Sequence, residues 1–279
     1  MSFNKSAVAS FLILALVSTG QAQLASALPS PTTLSPKSML AQLKVAPEEY
    51  NSYYNRSLFR HWIDEDGDGC DTRDEVLVRE STTTISCSLA GGRWVSRYDK
   101  VSTTNASSFD IDHFIPLKEA WESGAWEWDS NTRQRFANDL DYQFSLIAVS
   151  ARSNRSKSDR DPNNWMPSNA SFQCQYIGRW IAVKHRWSLA VDQSEKEFLS
   201  SRVGACGSKA RVAAPSLASI GKGSAPTPAP KPTGQPGTDP QFSSCAEAAR
   251  NGYSGPYYQG VDAEYSWYED RDKDGIVCE

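Results

Sequence analysis

The chain has 279 residues, of which 39% are hydrophobic and 22% are charged, and its formal net charge is −4. This composition excludes a chain that is disordered throughout, and the length allows one sizeable core plus a small module. A negative net charge argues against a simple nucleic-acid binder. The charge is uneven, however: residues 151–186 hold seven basic and two acidic side chains, whereas residues 241–279 hold three basic and eight acidic ones.

The first 27 residues have the pattern of a secretory signal peptide. Lys5 gives a positive start, residues 7–17 are apolar, and Ala22 and Ala27 are alternative cleavage positions. The apolar stretch is too short to span a membrane, and no later stretch is long enough. We therefore expect residues 1–27 to direct the chain to secretion, without a transmembrane segment.

An acidic loop follows residues 38–60, whose apolar spacing predicts mostly helix. The loop has the spacing of an EF-hand calcium loop, D-x-D-x-D-G-x₅-E. Its candidate ligands are Asp64, Asp66, Asp68 and Glu75. The alternative, which we favour, is a turn rich in Asp and Gly that positions Arg73.

The next predicted elements are short strands. Residues 82–87 and 93–98 form two of them, joined by a glycine pair. Residues 109–116 alternate apolar and polar side chains and end at a proline, which favours a short strand that presents Asp112 beside His113. A carboxylate and an imidazole are thus expected together at the end of one strand.

A second strand and a helix complete this pattern. Residues 144–149 are typical of a buried strand, and short helices are expected before it at 116–123 and 131–138. Asn154 and Lys157 are three residues apart, so a helix there places both on one face. Two strands and a helix, with Asp-His on the first strand and Asn on the helix, form the outline of a single-metal nuclease site.

Two longer helices are predicted farther on. Residues 172–187 form an amphipathic helix, and Asp192 caps the following one, with Glu195 completing a capping box. Three nearby tryptophans are assigned to the core rather than to base stacking, namely Trp121, Trp126 and Trp128.

Several of these segments together resemble the HNH, or ββα-metal, endonucleases, and most closely the secreted branch related to the C-terminal domain of GmrSD-type restriction endonucleases. The resemblance covers about residues 50–206 and is carried by segments 60–64, 67–73, 112–121, 123–126, 136–139, 148–149, 154–159, 161–162 and Trp165. It implies an α+β fold with a ββα-metal core surrounded by helices, and a nucleic-acid substrate.

The resemblance also implies roles for single residues. His113 is the expected general base, since imidazole titrates near neutral pH. Asp112 and Asn154 are expected to hold one divalent cation, and oxygen ligands suit Mg²⁺. Lys157 and Arg73 are candidate phosphate contacts. Each residue also has a purely structural interpretation. His113 would make a hydrogen bond at the end of its strand, and Asp112 and Asn154 would cap a turn and a helix. Lys157 and Arg73 would form surface ion pairs.

One position departs from the family pattern. Many relatives carry an asparagine nine residues before the metal-binding Asn, where it braces the loop that holds the base. Here Ser145 occupies that position, and serine offers fewer donors. Asn138 is too far upstream in sequence to replace it with confidence, so the bracing of the loop is the uncertain part of the pattern.

Six cysteines in an exported chain are expected to form three disulfides. Fifteen pairings exist, and sequence order suggests Cys70–Cys87, Cys174–Cys206 and Cys245–Cys278. A zinc site is the disfavoured alternative, because the chain has no Cys-x-x-Cys and three histidines in all.

The C-terminal part begins with a predicted linker at residues 208–240, which follows a nuclease domain at 28–207. Residues 241–279 form a tiny domain that needs a disulfide and an ion for support. Its acidic residues include Asp270, Asp272, Asp274 and Glu279. With the segments 245–249 and 255–258, they resemble the excalibur extracellular calcium-binding domain, which implies Ca²⁺ in this module.

These features predict a secreted endonuclease that hydrolyses DNA or RNA without sequence specificity, with Mg²⁺ at the nuclease site and Ca²⁺ in the tail. The tail is also a candidate for contact with cell wall or extracellular matrix. The alternative is a non-enzymatic, calcium-dependent surface protein with a vestigial nuclease scaffold. Against it, Asp112, His113 and Asn154 are all intact.

Overall fold

The computed structural model describes Met1 and residues 34–49, 54–223, 241–250, 257–258, 263–269 and 276–278. Apart from Met1, the predicted signal peptide lies outside the described residues. Within the described part, helices combine with three two-stranded antiparallel sheets, so the predicted α+β class is confirmed. None of the helices described is long and apolar enough to cross a membrane.

The elements follow one another in this order up to the last long helix: α1 (Pro36–Gln42), α2 (Thr72–Glu80), β1 (Trp94–Val95), β2 (Ser102–Thr103), β3 (Phe109–His113), α3 (Leu117–Glu122), α4 (Ser130–Ala137), β4 (Leu146–Ser150), α5 (Ala151–Lys157), α6 (Gln173–Arg186) and α7 (Gln193–Cys206). Nearer the C-terminus lie α8 (Cys245–Arg250), β5 (Tyr257–Tyr258) and β6 (Ile276–Val277).

The antiparallel pair of β3 and β4 positions the candidate site. Asp112 and His113, at the end of β3, lie opposite Ile147 and Leu146. All residues of β4 are buried, and α5 begins at once because the Ser150 side chain caps its first turn. The two predicted strands are confirmed, and the helix that carries the candidate asparagine begins three residues before it.

The core lies around α6, which packs against α1 and α7. Trp180 is fully buried, and its indole donates to Glu195 Oε1. The Asp192 side chain caps α7 by accepting from the Glu195 amide at 2.8 Å, as predicted. The Glu195 carboxylate, however, points into the core instead of completing a capping box. Trp121 and Trp128 are buried and Trp126 packs against the same core, which confirms their assignment.

The helix predicted over residues 38–60 is wrong for most of its length. The helix α1 ends at Gln42, and Val45 pairs with Val191 in an isolated parallel bridge. Pro47 disfavours helical backbone just before it, and pairing with the distant chain replaces the helical hydrogen bonds.

The strand predicted at residues 82–87 is also absent, and β1 pairs with β2 instead. Side-chain hydroxyls take hydrogen bonds that a ladder would have made with backbone groups. Thr82 Oγ1 donates to Arg93 O at 3.0 Å, and Thr83 Oγ1 donates to Gly91 O at 2.9 Å. Such local bonds compete with a regular ladder, so the segment is a series of turns.

The predicted linker at residues 208–240 begins later than expected. Residues 208–223, here called the strap, lie along the surface of the domain. Tyr142 OH donates to a strap carbonyl at 2.6 Å, a strap amide donates to Arg186 O at 2.8 Å, and the Asp129 amide donates to a strap carbonyl at 2.9 Å. An extended chain without aromatic residues therefore packs through its backbone. Residues 224–240 lie outside the described part.

Three disulfides join the predicted partners: Cys70–Cys87, Cys174–Cys206 and Cys245–Cys278. The last of them closes the tail, where β5 pairs with β6. The predicted calcium ligands of the tail, Asp270, Asp272, Asp274 and Glu279, lie outside the described residues.

Candidate active site

His113 ends β3 and is held in one orientation. Its Nε2 lies 2.9 Å from Ala137 O, and its ring stacks on Trp62 with 5.3 Å between centroids. A carbonyl can only accept, so Nε2 carries the proton and Nδ1 is the acceptor nitrogen. The fixed tautomer is the one that a proton-accepting imidazole requires.

Burial lowers the pKa of His113 to about 3, because the charged form would lose its hydration; the bond to Ala137 O opposes this shift, and nearby Arg56 adds to it. The imidazole is therefore neutral at neutral pH. A neutral ring with an unprotonated Nδ1 can accept a proton from water, but burial makes it a weaker base than the near-neutral imidazole expected from the sequence.

Asp112 is buried and both of its oxygens accept hydrogen bonds. Tyr98 OH donates to Oδ2 at 2.6 Å, and Lys157 Nζ donates to Oδ1 at 2.8 Å. Burial raises the pKa of the Asp112 carboxyl and lowers the pKa of the Lys157 ammonium, while the contact between the two charges opposes both shifts. Each oxygen keeps a second lone pair, so the carboxylate can still serve as a ligand.

The structure corrects the role predicted for Lys157. The side chain is fully buried, and Nζ also donates to His113 O at 3.0 Å. An ammonium held by a carboxylate and a carbonyl in the interior cannot reach a bound phosphate. Lys157 instead fixes the end of β3, where Asp112 and His113 lie.

Arg73 is corrected in the same way. Its Nη2 donates to Ala106 O at 3.1 Å and to Phe109 O at 3.2 Å, both at the start of β3. Its side chain is 30% exposed and lies near Asp74. Since its guanidinium is engaged by the backbone, Arg73 positions β3 rather than gripping a phosphate.

Asn154 brings a second aspartate into the site. Its Nδ2 donates to Asp110 Oδ2 at 3.1 Å, so its amide oxygen is the end left for a ligand. Asp110 precedes Asp112 by two residues and shares its strand face. The alternation Asp-x-Asp in the sequence could have indicated Asp110, which was not among the predicted site residues.

A cleft of about 780 Å³ joins these groups. Asp112, His113 and Asn154 all line it, as the prediction required. Basic side chains and a second imidazole line it as well: Arg56, Lys118, Arg155 and His61. None of these four was predicted as a site residue; they come from three separate segments, so no sequence spacing connects them.

The second imidazole is close to the first. His61 Nδ1 lies 2.8 Å from Phe59 O, which leaves Nε2 as its acceptor, and the two histidine rings meet edge to face with centroids 6.1 Å apart. His61 therefore faces the same cleft as His113.

The oxygen donors of the cleft suit an ion with few protein ligands. Among the described residues, no three His, Cys, Asp or Glu side chains of this cleft have ligand atoms within 4.8 Å of one another. The donors that line the cleft are the Asp112 carboxylate and the amide oxygen of Asn154, and Asp110 lies beside them through its bond to Asn154. Mg²⁺ accepts such a set because it keeps several waters and binds substrate phosphates.

Ser145 does not brace the base through its side chain, which donates to Asp139 Oδ2 at 2.5 Å. That function falls to Ala137, which holds His113, and to its neighbour Asn138. Asn138 Nδ2 donates to Arg60 O at 2.8 Å and fixes the segment that carries His61 and Trp62. The two positions are distant in sequence from Ser145, and only the fold brings them to the histidine.

The acidic loop before α2 has three of its four candidate ligands together. Carboxylate oxygens of Asp64, Asp66 and Asp68 lie within 4.8 Å of one another, whereas Glu75 is outside this group. Both Asp64 oxygens accept amides of the loop itself, at 2.8 and 3.0 Å. These bonds form a tight Asp/Gly turn, and calcium binding by this loop stays a prediction.

Comparisons with known proteins match two parts of the chain. The family described as GmrSD restriction endonucleases, C-terminal domain, matches residues 73–202, and the Excalibur calcium-binding domain matches residues 242–279. An uncharacterized secreted protein of Arthroderma benhamiae is 41% identical over 179 residues, which are 63% of this chain and 87% of that protein. No solved structure gives a significant match.

Together, the fold and the comparisons define the class of this protein: it is a nuclease-like α+β protein whose tail matches a calcium-binding domain. The chain belongs to the family of the C-terminal domain of GmrSD restriction endonucleases, and it ends in an Excalibur domain. The predicted secretion is confirmed by the relative, which is itself described as secreted.

Proposed function

We propose that the chain is a secreted, metal-dependent endonuclease that hydrolyses phosphodiester bonds of DNA, and of RNA if the cleft admits it, on a ββα-metal core. The observation that carries the proposal is the state of His113: neutral, with Nε2–H bonded to Ala137 O and the ring in a cleft beside Asp112 and Asn154. Sequence specificity is not expected, because no base-reading module accompanies this cleft in the sequence.

In the proposed reaction, His113 Nδ1 takes a proton from water while the water oxygen forms a bond to phosphorus. The bond from phosphorus to the 3′ oxygen breaks, and that oxygen leaves and gains a proton from solvent. Products then carry 5′-phosphate and 3′-hydroxyl ends, as the family resemblance implies. The stacking of Trp62 and the carbonyl of Ala137 hold the ring still during the transfer.

Asp112 and Asn154, with Asp110 beside them, would hold the divalent cation, for which Mg²⁺ is the proposed choice. When bound, such an ion stabilises negative charge on the phosphate and on the leaving oxygen. Lys157 keeps Asp112 charged and oriented, and Tyr98 fixes its other oxygen.

The substrate backbone is proposed to lie along the basic side chains of the cleft: Arg56, Lys118 and Arg155. These take over the role that Lys157 and Arg73 were predicted to play. Lys118 already forms an ion pair with Asp159 at 3.3 Å, so Arg56 and Arg155 are the stronger candidates. Phosphate contacts of this kind give affinity that falls with salt and carries little sequence information.

The tail is proposed to bind Ca²⁺ through Asp270, Asp272, Asp274 and Glu279, as its Excalibur match suggests. Contact of this tail with cell wall or matrix is a further proposal, which would keep the secreted enzyme near the cell surface.

The test is digestion of supercoiled plasmid with Mg²⁺ or with EDTA, by the wild type and by His113→Ala. We expect EDTA to abolish cutting and His113→Ala to slow it by about 10²–10⁴-fold, the usual contribution of a general base. His185→Gln is the matched control, since it changes a histidine outside the cleft. Imidazole added to His113→Ala should restore part of the rate.

Equal cutting by wild type and His113→Ala would contradict the proposed base. No cutting by any variant, with any nucleic acid or divalent metal, would instead favour the non-enzymatic alternative. In that case the ion pair of Lys157 with Asp112 would be a structural remnant of the site.

A further inference from the structure

A second group of carboxylates lies outside the nuclease cleft. Five of them, from four separate segments, converge on one place, here called the carboxylate cluster: Glu48, Glu119, Glu122, Asp161 and Asp192. Carboxylate oxygens of Glu48, Glu119 and Glu122 lie within 4.8 Å of one another, and so do those of Glu48, Asp161 and Asp192. Glu48 is shared by both groups and is exposed, so the cluster opens to solvent on that side.

Glu122 is the unusual member of the cluster. It is 8% exposed, and within the described part of the chain its carboxylate has neither a hydrogen bond nor an ion pair. Its neighbours are satisfied: Glu119 Oε1 accepts from Lys184, and Asp161 Oδ1 accepts from Asn164 at 2.9 Å. A buried carboxylate directed at two others, without a donor, is costly unless a ligand completes it.

The cations around the cluster are engaged elsewhere. Lys184 is shared between Glu119 and Glu195, at 2.6 and 2.7 Å, and Lys118 lies 3.3 Å from Asp159. Two lysines therefore face seven carboxylates, counting Asp159 and Glu195 with the five. The charge left over is negative, and it is concentrated at Glu122 and Glu48.

The pKa values of two cluster carboxyls agree with this excess of negative charge. Burial and then the charge of Glu48 raise the pKa of Glu122 to about 8, and burial and then the charge of Glu119 raise the pKa of Glu48 to about 7. Burial and the neighbouring carboxylates outweigh the opposing effects of Lys118 on Glu122 and of Lys184 on Glu48, and a bound cation would displace the protons that the two carboxyls hold.

We propose that the carboxylate cluster binds one calcium ion through Glu48, Glu119 and Glu122, with water completing the shell and with Asp161 and Asp192 adding negative charge on the other side of Glu48. Calcium takes six to eight oxygens at about 2.3–2.6 Å in adaptable geometry. The oxygens of Glu48, Glu119 and Glu122 lie within 4.8 Å of one another, close enough for one calcium ion to contact all three. This site is separate from the nuclease cleft and from the tail.

The ion would clamp the N-terminal segment to the domain. Residues 44–49 are attached by three backbone bonds: Val191 N to Lys44 O, Ala46 N to Val191 O and Glu49 N to Glu122 O. An ion on Glu48, Glu119 and Glu122 would join the N-terminal segment to α3, which the bond from Glu49 N to Glu122 O also connects. Calcium is therefore expected to stabilise the whole domain.

The test is thermal unfolding of the full-length mature protein in EDTA and in calcium, with Glu122→Gln, Glu48→Gln and the control Glu127→Gln, an exposed glutamate paired with Lys222. Calcium at about a hundredfold excess over its dissociation constant should raise the wild-type midpoint by about 5–10 °C. Both cluster variants should lose most of that rise while unfolding in EDTA no earlier than the wild type. The control should behave like the wild type.

Calorimetric titration should show one calcium ion fewer per chain in the two cluster variants, while the tail keeps its own calcium. An unchanged calcium rise in Glu122→Gln and Glu48→Gln would overturn the proposal. The proposal would also be overturned if the variants lowered the thermal midpoint equally with and without calcium, because that result indicates a structural role alone. An equal rise with Mg²⁺ in place of calcium would overturn the choice of ion.

Discussion

The nuclease cleft and the carboxylate cluster flank the same short helix, α3, yet they differ in the hydrogen-bond donors that surround their buried carboxylates. In the cleft, Asp112 has a donor on each oxygen, from Tyr98 and Lys157. In the cluster, Glu122 is somewhat less buried, and among the residues that the structure describes no side chain or amide donates to its carboxylate. A paired carboxylate can stay charged in the interior, whereas an unpaired one either keeps a proton or takes a cation, as proposed for the cluster.

The largest expected effect comes from removing the partner in the cleft. Lys157→Met leaves Asp112 as a buried charge with a single donor, which should lower the free energy of unfolding by about 3–5 kcal/mol. Urea unfolding at pH 7 measures this. The double variant Asp112→Asn with Lys157→Met should recover part of the loss, because no uncompensated charge remains.

Glu122→Gln is the matching change in the cluster, and in EDTA it should lower the free energy of unfolding little or not at all. A loss of similar size in Lys157→Met and Glu122→Gln would remove the distinction between the two regions.

The two regions should also respond to pH with opposite signs. In the cleft, His113 has a pKa of about 3 when folded, against an ordinary value of 6.5. The unfolded chain therefore binds the proton first, and stability falls as the pH drops from about 6.5 towards 3, by at most about 1.4 kcal/mol per unit. Urea unfolding between pH 4 and 7 should show a steeper slope for the wild type than for His113→Gln. Identical slopes would mean that His113 does not cause the difference in proton binding between the folded and the unfolded chain.

In the cluster, the folded pKa of Glu122 is about 8, against an ordinary value of 4.5. The folded chain keeps a proton that the unfolded chain has released, so stability in EDTA falls as the pH rises from about 4.5 to 8. Calcium should abolish this fall, and Glu122→Gln should reduce it. Thermal midpoints of the wild type and of Glu122→Gln at pH 5 and 8, with EDTA and with calcium, measure both effects. A midpoint in EDTA that rises with pH to the same extent in these two proteins would contradict the expected fall in stability.

The smallest effect concerns Asp110, which orients Asn154 in the cleft. Asp110→Asn should raise the Mg²⁺ concentration for half-maximal cleavage by about tenfold or more, as loss of a group that orients a ligand usually does. Asp141→Asn, on an aspartate whose side chain is 92% exposed, is the control. An unchanged Mg²⁺ requirement in Asp110→Asn would exclude Asp110 from the metal site.

Much of the framework could be predicted because local patterns determine it. The alternation before His113, the buried run at 144–149 and the helical spacing of residues 172–187 each lie within one element, although β4 and most of α6 are buried on all sides. Cysteine order happened to give the correct disulfides.

The remaining features depend on contacts between distant segments. Helical spacing places Asn154 and Lys157 on one face, but it does not tell which of them meets a buried carboxylate. The strap was taken for linker because it is rich in Ala, Pro, Ser, Gly and Lys and lacks aromatic residues, yet backbone bonds and the side chains of Val212, Ala218 and Ile220 hold it against the domain. The bracing by Ala137 likewise has no sequence signature, since a carbonyl is present at every position.

The central claim is that His113 is a neutral base with the proton on Nε2. Nitrogen-15 NMR of the ring nitrogens, compared between wild type and His113→Gln for assignment, tests it directly. We predict a protonated Nε2 and an unprotonated Nδ1 that do not change between pH 7 and 5. A proton on Nδ1, or titration of the ring near pH 6.5, would contradict the claim.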